Sequence, residues 1–213
     1  MTARILYLHG FASGPGSQKA QLFRSRFAEQ GVSLEIPDMS AGDFEHLTIS
    51  GQLSVIEAVA RGESVSLMGS SLGGYLAALY AARHPEVTRL VLMAPAFGFG
   101  RRFLESIGNA EADRWRETGW RTVFNYAARR EERLWWQLIE DATQFEEFPP
   151  AAQPALLFHP RHDAQVPWQL SQEFVRRHPT ARLQLFNDGH ELLNSMDRIW
   201  DESAAFLGLK ADR

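Results

Sequence analysis

The chain has 213 residues, 45% hydrophobic and 23% charged, which suits one generous domain or two cramped ones and excludes a disordered or low-complexity architecture. It contains no cysteine, so disulfides, thiolate zinc sites and a cysteine nucleophile are excluded together. A net charge of −4 argues against a nucleic-acid or anionic-membrane surface as partner, since such binders carry a basic footprint.

Taken in chain order, short aliphatic runs alternate with amphipathic stretches, the pattern of a parallel sheet wrapped by helices. The first strand is predicted at Ile5–His9, and Ser17 caps the helix that follows a glycine-rich turn. A second strand, Leu34–Pro37, precedes a helix with its apolar stripe on Ile49, Leu53, Ile56 and Ala60, closed by Gly62. The third strand, Val65–Gly69, feeds a helix whose inner face is Leu72, Tyr75, Leu76, Leu79 and Tyr80, stopped by His84-Pro85. A fourth strand is predicted at Arg89–Met93.

The alternation then breaks. Residues 98–150 show no strand pattern, carry eight Arg against ten acidic residues, and hold Trp115, Trp120, Trp135 and Trp136. We expect a helical cap here, with a helix over Glu131 to Glu140, inserted within a single domain spanning 1–213; Pro149-Pro150 mark the return to the sheet. Strands at Ala155–His159 and Arg182–Phe186 complete a sheet of about six mostly parallel strands with helices on both faces. The last helix turns Leu192, Leu193, Met196, Ile199, Trp200, Phe206 and Leu207 inward. No run of apolar residues is long enough to span a bilayer and the N-terminal apolar run is too short for a signal peptide, so a cytoplasmic location is expected.

The strongest chemical signal is Gly69-Ser70-Ser71-Leu72-Gly73, a G-x-S-x-G between an apolar strand and an amphipathic helix. In that setting the glycines permit a sharp turn that projects Ser71 at the C-terminal edge of the sheet, as a nucleophile. A serine needs a base, and His190, just after the last strand, stands at the same edge. The imidazole needs an acid to orient it: Asp163 is the carboxylate in the loop after the fifth strand, whereas Asp188 lies too close in sequence to reach the far ring nitrogen. The order Ser71, Asp163, His190 is one in which this constellation occurs. The backbone N–H groups of Leu72 and Phe11 are the expected oxyanion donors, with His9 structural at the end of a buried strand.

Other motifs weigh less. Gly14 to Lys19 lacks phosphate-loop spacing, and His159 and His162 lack a metal-site pattern. Arg101-Arg102 reads as a solvated face rather than an anion clamp. No metal or cofactor is therefore expected.

The chain resembles the α/β-hydrolases and is similar to the small bacterial YqiA-like esterases. The likeness rests on Tyr7-Leu8-His9-Gly10-Phe11, Ser13-Gly14-Pro15-Gly16-Ser17-Gln18-Lys19-Ala20, the elbow Gly69 to Tyr75, and Asp188-Gly189-His190. It implies an α/β-hydrolase fold lacking the superfamily's first two strands, and a serine hydrolase acting on carboxylic esters or thioesters. Two alternatives stay open: a peptidase or acyltransferase using the same acyl-enzyme, and a non-catalytic ligand-binding or interaction protein on the same fold. The sequence departs from the resemblance at His159-Pro160, where a His-Gly is usual before the acid. The aromatic-rich cap suggests a small-molecule substrate with an apolar acyl or aromatic group, met by Phe97, Trp115, Trp120 and Trp168; the alternative is that the tryptophans glue the cap to the core.

Overall fold

The aliphatic runs form strands and the amphipathic stretches form helices, in the order the sequence predicts. The computed structural model describes residues 4–209. The chain runs β1 (Arg4–Leu8), α1 (Gln18–Glu29), β2 (Leu34–Glu35), α2 (Ile49–Ala60), β3 (Val65–Ser70), α3 (Leu72–Ala81) and β4 (Val87–Met93). An inserted segment follows: α4 (Phe99–Ile107), α5 (Asn109–Thr118), β5 (Trp120–Asn125), β6 (Arg130–Trp135) and α6 (Gln137–Ala142). It closes with β7 (Ala155–Pro160), α7 (Gln169–Arg177), β8 (Ala181–Phe186), a 3₁₀ turn (Leu193–Ser195) and α8 (Met196–Leu207).

Six parallel strands form one sheet in the order β2-β1-β3-β4-β7-β8. The chain leaves β1 toward β2 on one side and returns to β3 on the other. The loops after β1 and β3 therefore diverge at neighbouring strand ends, and in open α/β sheets ligands bind at such a switch point.

Strand alternation builds two cores. Leu6 and Leu8 of β1, Val65 and Leu67 of β3, and Leu90 and Leu92 of β4 pack against α2, α3 and the insertion. Their neighbours Ile5, Tyr7, Met68, Val91 and Met93 pack on the other face with Phe23 and Phe27 of α1 and Ile199 and Trp200 of α8. Helix α3 lies deepest: all of its residues are buried. Each large apolar side chain so covered contributes roughly 1.5–3 kcal/mol, which makes α3 the firmest support available for the serine at its N-terminus.

The insertion departs from the expected helical cap. Glu131 to Glu140 is not one helix: Arg130–Trp135 pairs antiparallel with Trp120–Asn125, Trp120 facing Trp135, and only Gln137–Ala142 is helical. Its turn has no Asn-Gly or Gly-Gly; instead Asn125 Oδ1 accepts from the N–H groups of Ala127 and Ala128, and Arg129 takes a left-handed φ of 56°. The hairpin is tied down at both ends, with Tyr126 N–H donating to Ala12 O at 2.8 Å and Trp135 N–H to Glu45 O at 2.9 Å. Leu193, expected on the inner face of the last helix, instead stands 40% exposed on the 3₁₀ turn before α8.

Two glycines are required by close approach. A Cβ on Gly73 would overlap the Leu8 carbonyl, and one on Gly69 would overlap the Gly73 carbonyl. These neighbours are backbone and cannot swing aside. Gly73→Ala is expected to lower the unfolding free energy by about 3 kcal/mol or more, whereas Gly16→Ala, facing open space, should stay within about 0.5 kcal/mol of the parent in urea titrations. Equal midpoints for the two variants would refute this reading of the elbow.

Candidate active site

Ser71 sits between β3 and α3 with φ 53° and ψ −118°, a conformation that costs a non-glycine residue of order 1–3 kcal/mol. The neighbouring backbone holds it there. Ser71 N–H donates to Met93 O (2.9 Å), and Ser71 O accepts from Gly74, Tyr75 and Ala96. The hydroxyl is left free of the backbone and faces the sheet's C-terminal edge.

His190 comes from the loop after β8. Its Nε2 stands 3.2 Å from Ser71 Oγ, and its Nδ1–H donates to Asp163 Oδ2 at 2.7 Å. A carboxylate accepts only, so the proton lies on Nδ1 and leaves the Nε2 lone pair toward the serine. Asp163 lies in the loop after β7 with its side chain fully buried. Its other oxygen accepts from Gln165 N–H (2.8 Å) and Val166 N–H (2.9 Å), which locks the loop as an Asx turn. Burial alone would raise the Asp163 carboxyl. The nearby His159 ring and hydrogen bonds from His190 and the Val166 N–H outweigh it and hold the group well below the usual carboxylate range.

His159, at the end of β7, was missed by sequence reasoning as a support for the acid. It is fully buried; Nε2–H donates to Val166 O at 2.8 Å with Asp163 Oδ2 3.4 Å away, and Nδ1 accepts from Ser171 Oγ at 2.7 Å. Lys19 was missed as well. It lies within the buried stripe of α1 formed by Lys19, Ala20, Phe23 and Phe27, and donates from Nζ to Ser70 Oγ at 2.9 Å, with Glu191 at 3.8 Å. A cation inside an apolar stripe was the available signal. Burial lowers the Lys19 ammonium's pKa, while the negative charges of Glu191, Asp163 and Asp188 act to raise it.

His9 is buried and bridges two loops: Nδ1–H donates to Gly10 O (3.0 Å) and Nε2 accepts from Met39 N–H (3.1 Å). This fits the structural part read for it. Asp188 accepts from Gly189, Asn194 and Ser195, so it braces the turn into α8 and takes no part with His190. Among the described residues, the Phe11 and Leu72 N–H groups make no turn or cap hydrogen bond to a backbone carbonyl.

Ser71 opens onto a cleft with two lobes of about 620 and 300 Å³, which share Phe11, Ser71 and Gln165. The expected aromatics do not line it. Phe97 is buried in the core, stacked on Phe174 at 4.5 Å; Trp115 is buried and donates to Leu134 O; Trp120 faces solvent under Arg133; Trp168 begins α7. The aromatic lining comes from Tyr7, Phe11, Phe99, Phe103, Phe124 and Tyr126 instead. The tryptophans hold the insertion together, Trp136 packing edge-on to Trp115 at 5.3 Å. Of the arginine pair, Arg101 is tied to Glu105 and Glu147, while Arg102 borders the smaller lobe.

A six-stranded parallel sheet, a serine on a strained strand-to-helix turn, and a histidine and aspartate delivered by later loops define the α/β-hydrolase fold. Structures of that fold superpose over nearly the whole chain. The mouse alpha/beta hydrolase domain-containing protein 10 matches at TM-score 0.81 and 21% identity, covering 98% of this chain and 90% of its own. Est1E from Butyrivibrio proteoclasticus matches at 0.72 and 19%, covering 98% and 89%. A monoacylglycerol lipase from Paleococcus ferrophilus matches at 0.74 and 15%, covering 95% and 93%. The chain belongs to the uncharacterised protein family UPF0227, whose sequence profile matches residues 4–201.

The depressed Asp163 ionisation has a stability consequence. A group whose folded pKa is lowered stabilises the fold fully above its unfolded value and loses that contribution as pH falls toward the folded one. The stability gap between the parent and Asp163→Asn is therefore expected to narrow below about pH 4, the unfolded carboxylate value. Urea unfolding from pH 7 to pH 3 measures it; parallel profiles down to pH 3 would contradict the assignment.

Proposed function

We propose that the protein is a serine hydrolase cleaving carboxylic esters or thioesters through an acyl-enzyme on Ser71. The observation that carries this reading is the unbroken hydrogen-bond chain from Ser71 Oγ through His190 to Asp163, opening onto a cleft. The reading is consistent with the lipase among the structures of the same fold.

In this reading Ser71 Oγ attacks the acyl carbon while His190 Nε2 takes the hydroxyl proton. Negative charge develops on the former carbonyl oxygen, where the N–H groups of Phe11 and Leu72 donate to it. The leaving oxygen or sulfur takes the proton from Nε2 and departs, and a water deprotonated by the same nitrogen releases the acid. Asp163 stays ionised throughout. It fixes the Nδ1–H tautomer and stabilises the transient imidazolium, a task its depressed pKa suits. Residues 98–150 act as a cap that roofs the cleft, and the chemistry calls on no metal or cofactor.

A fluorophosphonate probe should label Ser71 covalently, and Ser71→Ala should abolish labelling. His190→Ala is expected to lower kcat on a good ester by about 10⁴-fold or more, and Asp163→Asn by about 10³- to 10⁴-fold. A folded sample that neither takes up the probe nor turns over any ester or thioester would instead favour a non-catalytic ligand-binding role.

A further inference from the structure

The two lobes differ in one respect that bears on chemistry. His190 forms part of the wall of the larger lobe and no part of the smaller one. Resting on the hydrolase reading above, this asymmetry fixes which end of the substrate goes where. The proton that leaves Ser71 must be delivered by His190 Nε2 to the departing oxygen or sulfur, so that atom and what it carries must lie on the His190 side. The acyl carbon, bonded to Ser71 Oγ, then sends its remaining substituent to the other side.

We propose that the smaller lobe holds the acyl group and the larger lobe the leaving alcohol or thiol. The acyl lobe is mainly apolar, walled by Ala96, Phe99, Phe103 and Val166, with exposed Ala164 at its rim and Arg102 and Ser106 at its polar border. At about 300 Å³ it lies at the bottom of the range for small-molecule sites, so it takes an acyl chain of limited size. The leaving-group lobe is about twice as large and two-faced. Lys19, Ser17 and Ser70 give it a polar side, and Phe124 and Tyr126 of the hairpin, in T-shaped contact at 5.0 Å, give it an aromatic one. Phe124 and Tyr126 are 45% and 70% exposed, an apolar surface on the hairpin that the other described residues leave uncovered. The substrate class that fits is a compact apolar acyl group esterified to a larger amphipathic alcohol or thiol.

The two half-reactions separate the lobes. Once the leaving group departs, the acyl-enzyme carries only the acyl group, so a change in the leaving-group lobe affects acylation and leaves deacylation alone. Pre-steady-state kinetics on two ester series reads this, one varying the acyl chain with p-nitrophenol fixed, the other varying the alcohol with the acyl group fixed. Phe124→Ala, at an exposed position, should lower kcat/KM about fivefold for aryl leaving groups, the size of one aromatic contact. Its deacylation rate should not change. Ala164→Phe should shorten the preferred acyl chain and alter deacylation. If Phe124→Ala shifts the acyl-chain profile, or neither variant changes either series, the assignment is overturned while the hydrolase reading stands. A parent enzyme that hydrolyses neither series and takes up no fluorophosphonate at Ser71 overturns the hydrolase reading itself, and the assignment with it.

Discussion

The backbone turn at Ser71 is the constraint on which the rest of this structure depends. The serine occupies a left-handed φ as the single residue between a strand and a helix, and the turn closes only because Gly69 and Gly73 present no Cβ to the carbonyls beside them. Strain of this size persists where the surroundings over-determine the conformation. They do so here through the fully buried α3 and four hydrogen bonds on the Ser71 backbone. The same close contact, Gly73 against Leu8 and His9, sets the N-terminus of α3 beside the loop after β1. One steric requirement thus aims the hydroxyl and brings the Leu72 and Phe11 amides to the same strand end.

The partners of the serine are held by a second, electrostatic layer. Asp163 is buried yet kept ionised by the His190 imidazole and two backbone N–H groups, with the His159 ring 3.4 Å away and itself fixed by Ser171 and Val166. A buried carboxylate without such donors would take up a proton, and its hold on the His190 tautomer would go with it. The His159-Pro160 departure from the usual pattern therefore leaves Asp163 in place beside His190: the loop turns on its own Asx hydrogen bonds.

What was legible in the sequence follows from how local each signal is. Buried parallel strands are continuous apolar runs, so all six were found to within two residues or so, and the elbow was recognisable because its glycines, strand and helix are contiguous. The hairpin was not. Its strands carry charged and aromatic residues on a half-exposed pair, and its turn is made by an Asx bond and a left-handed arginine rather than by glycine. The cleft lining was misjudged for a related reason. Tryptophan density drew attention to the segment, but which aromatics face the serine depends on how the insertion folds back, and phenylalanines of α4 and the hairpin do so. His159 and Lys19 are single polar residues in apolar runs whose partners lie far along the chain, so only the fold pairs them.

The most direct test of the account is to catch the covalent intermediate it requires. Acid-quenched mass spectrometry during turnover of a slow ester should show the intact chain heavier by one acyl group, with the adduct on the peptide carrying Ser71 and absent from Ser71→Ala. Ester hydrolysis that survives in Ser71→Ala, or an adduct that forms on a different peptide, would contradict it.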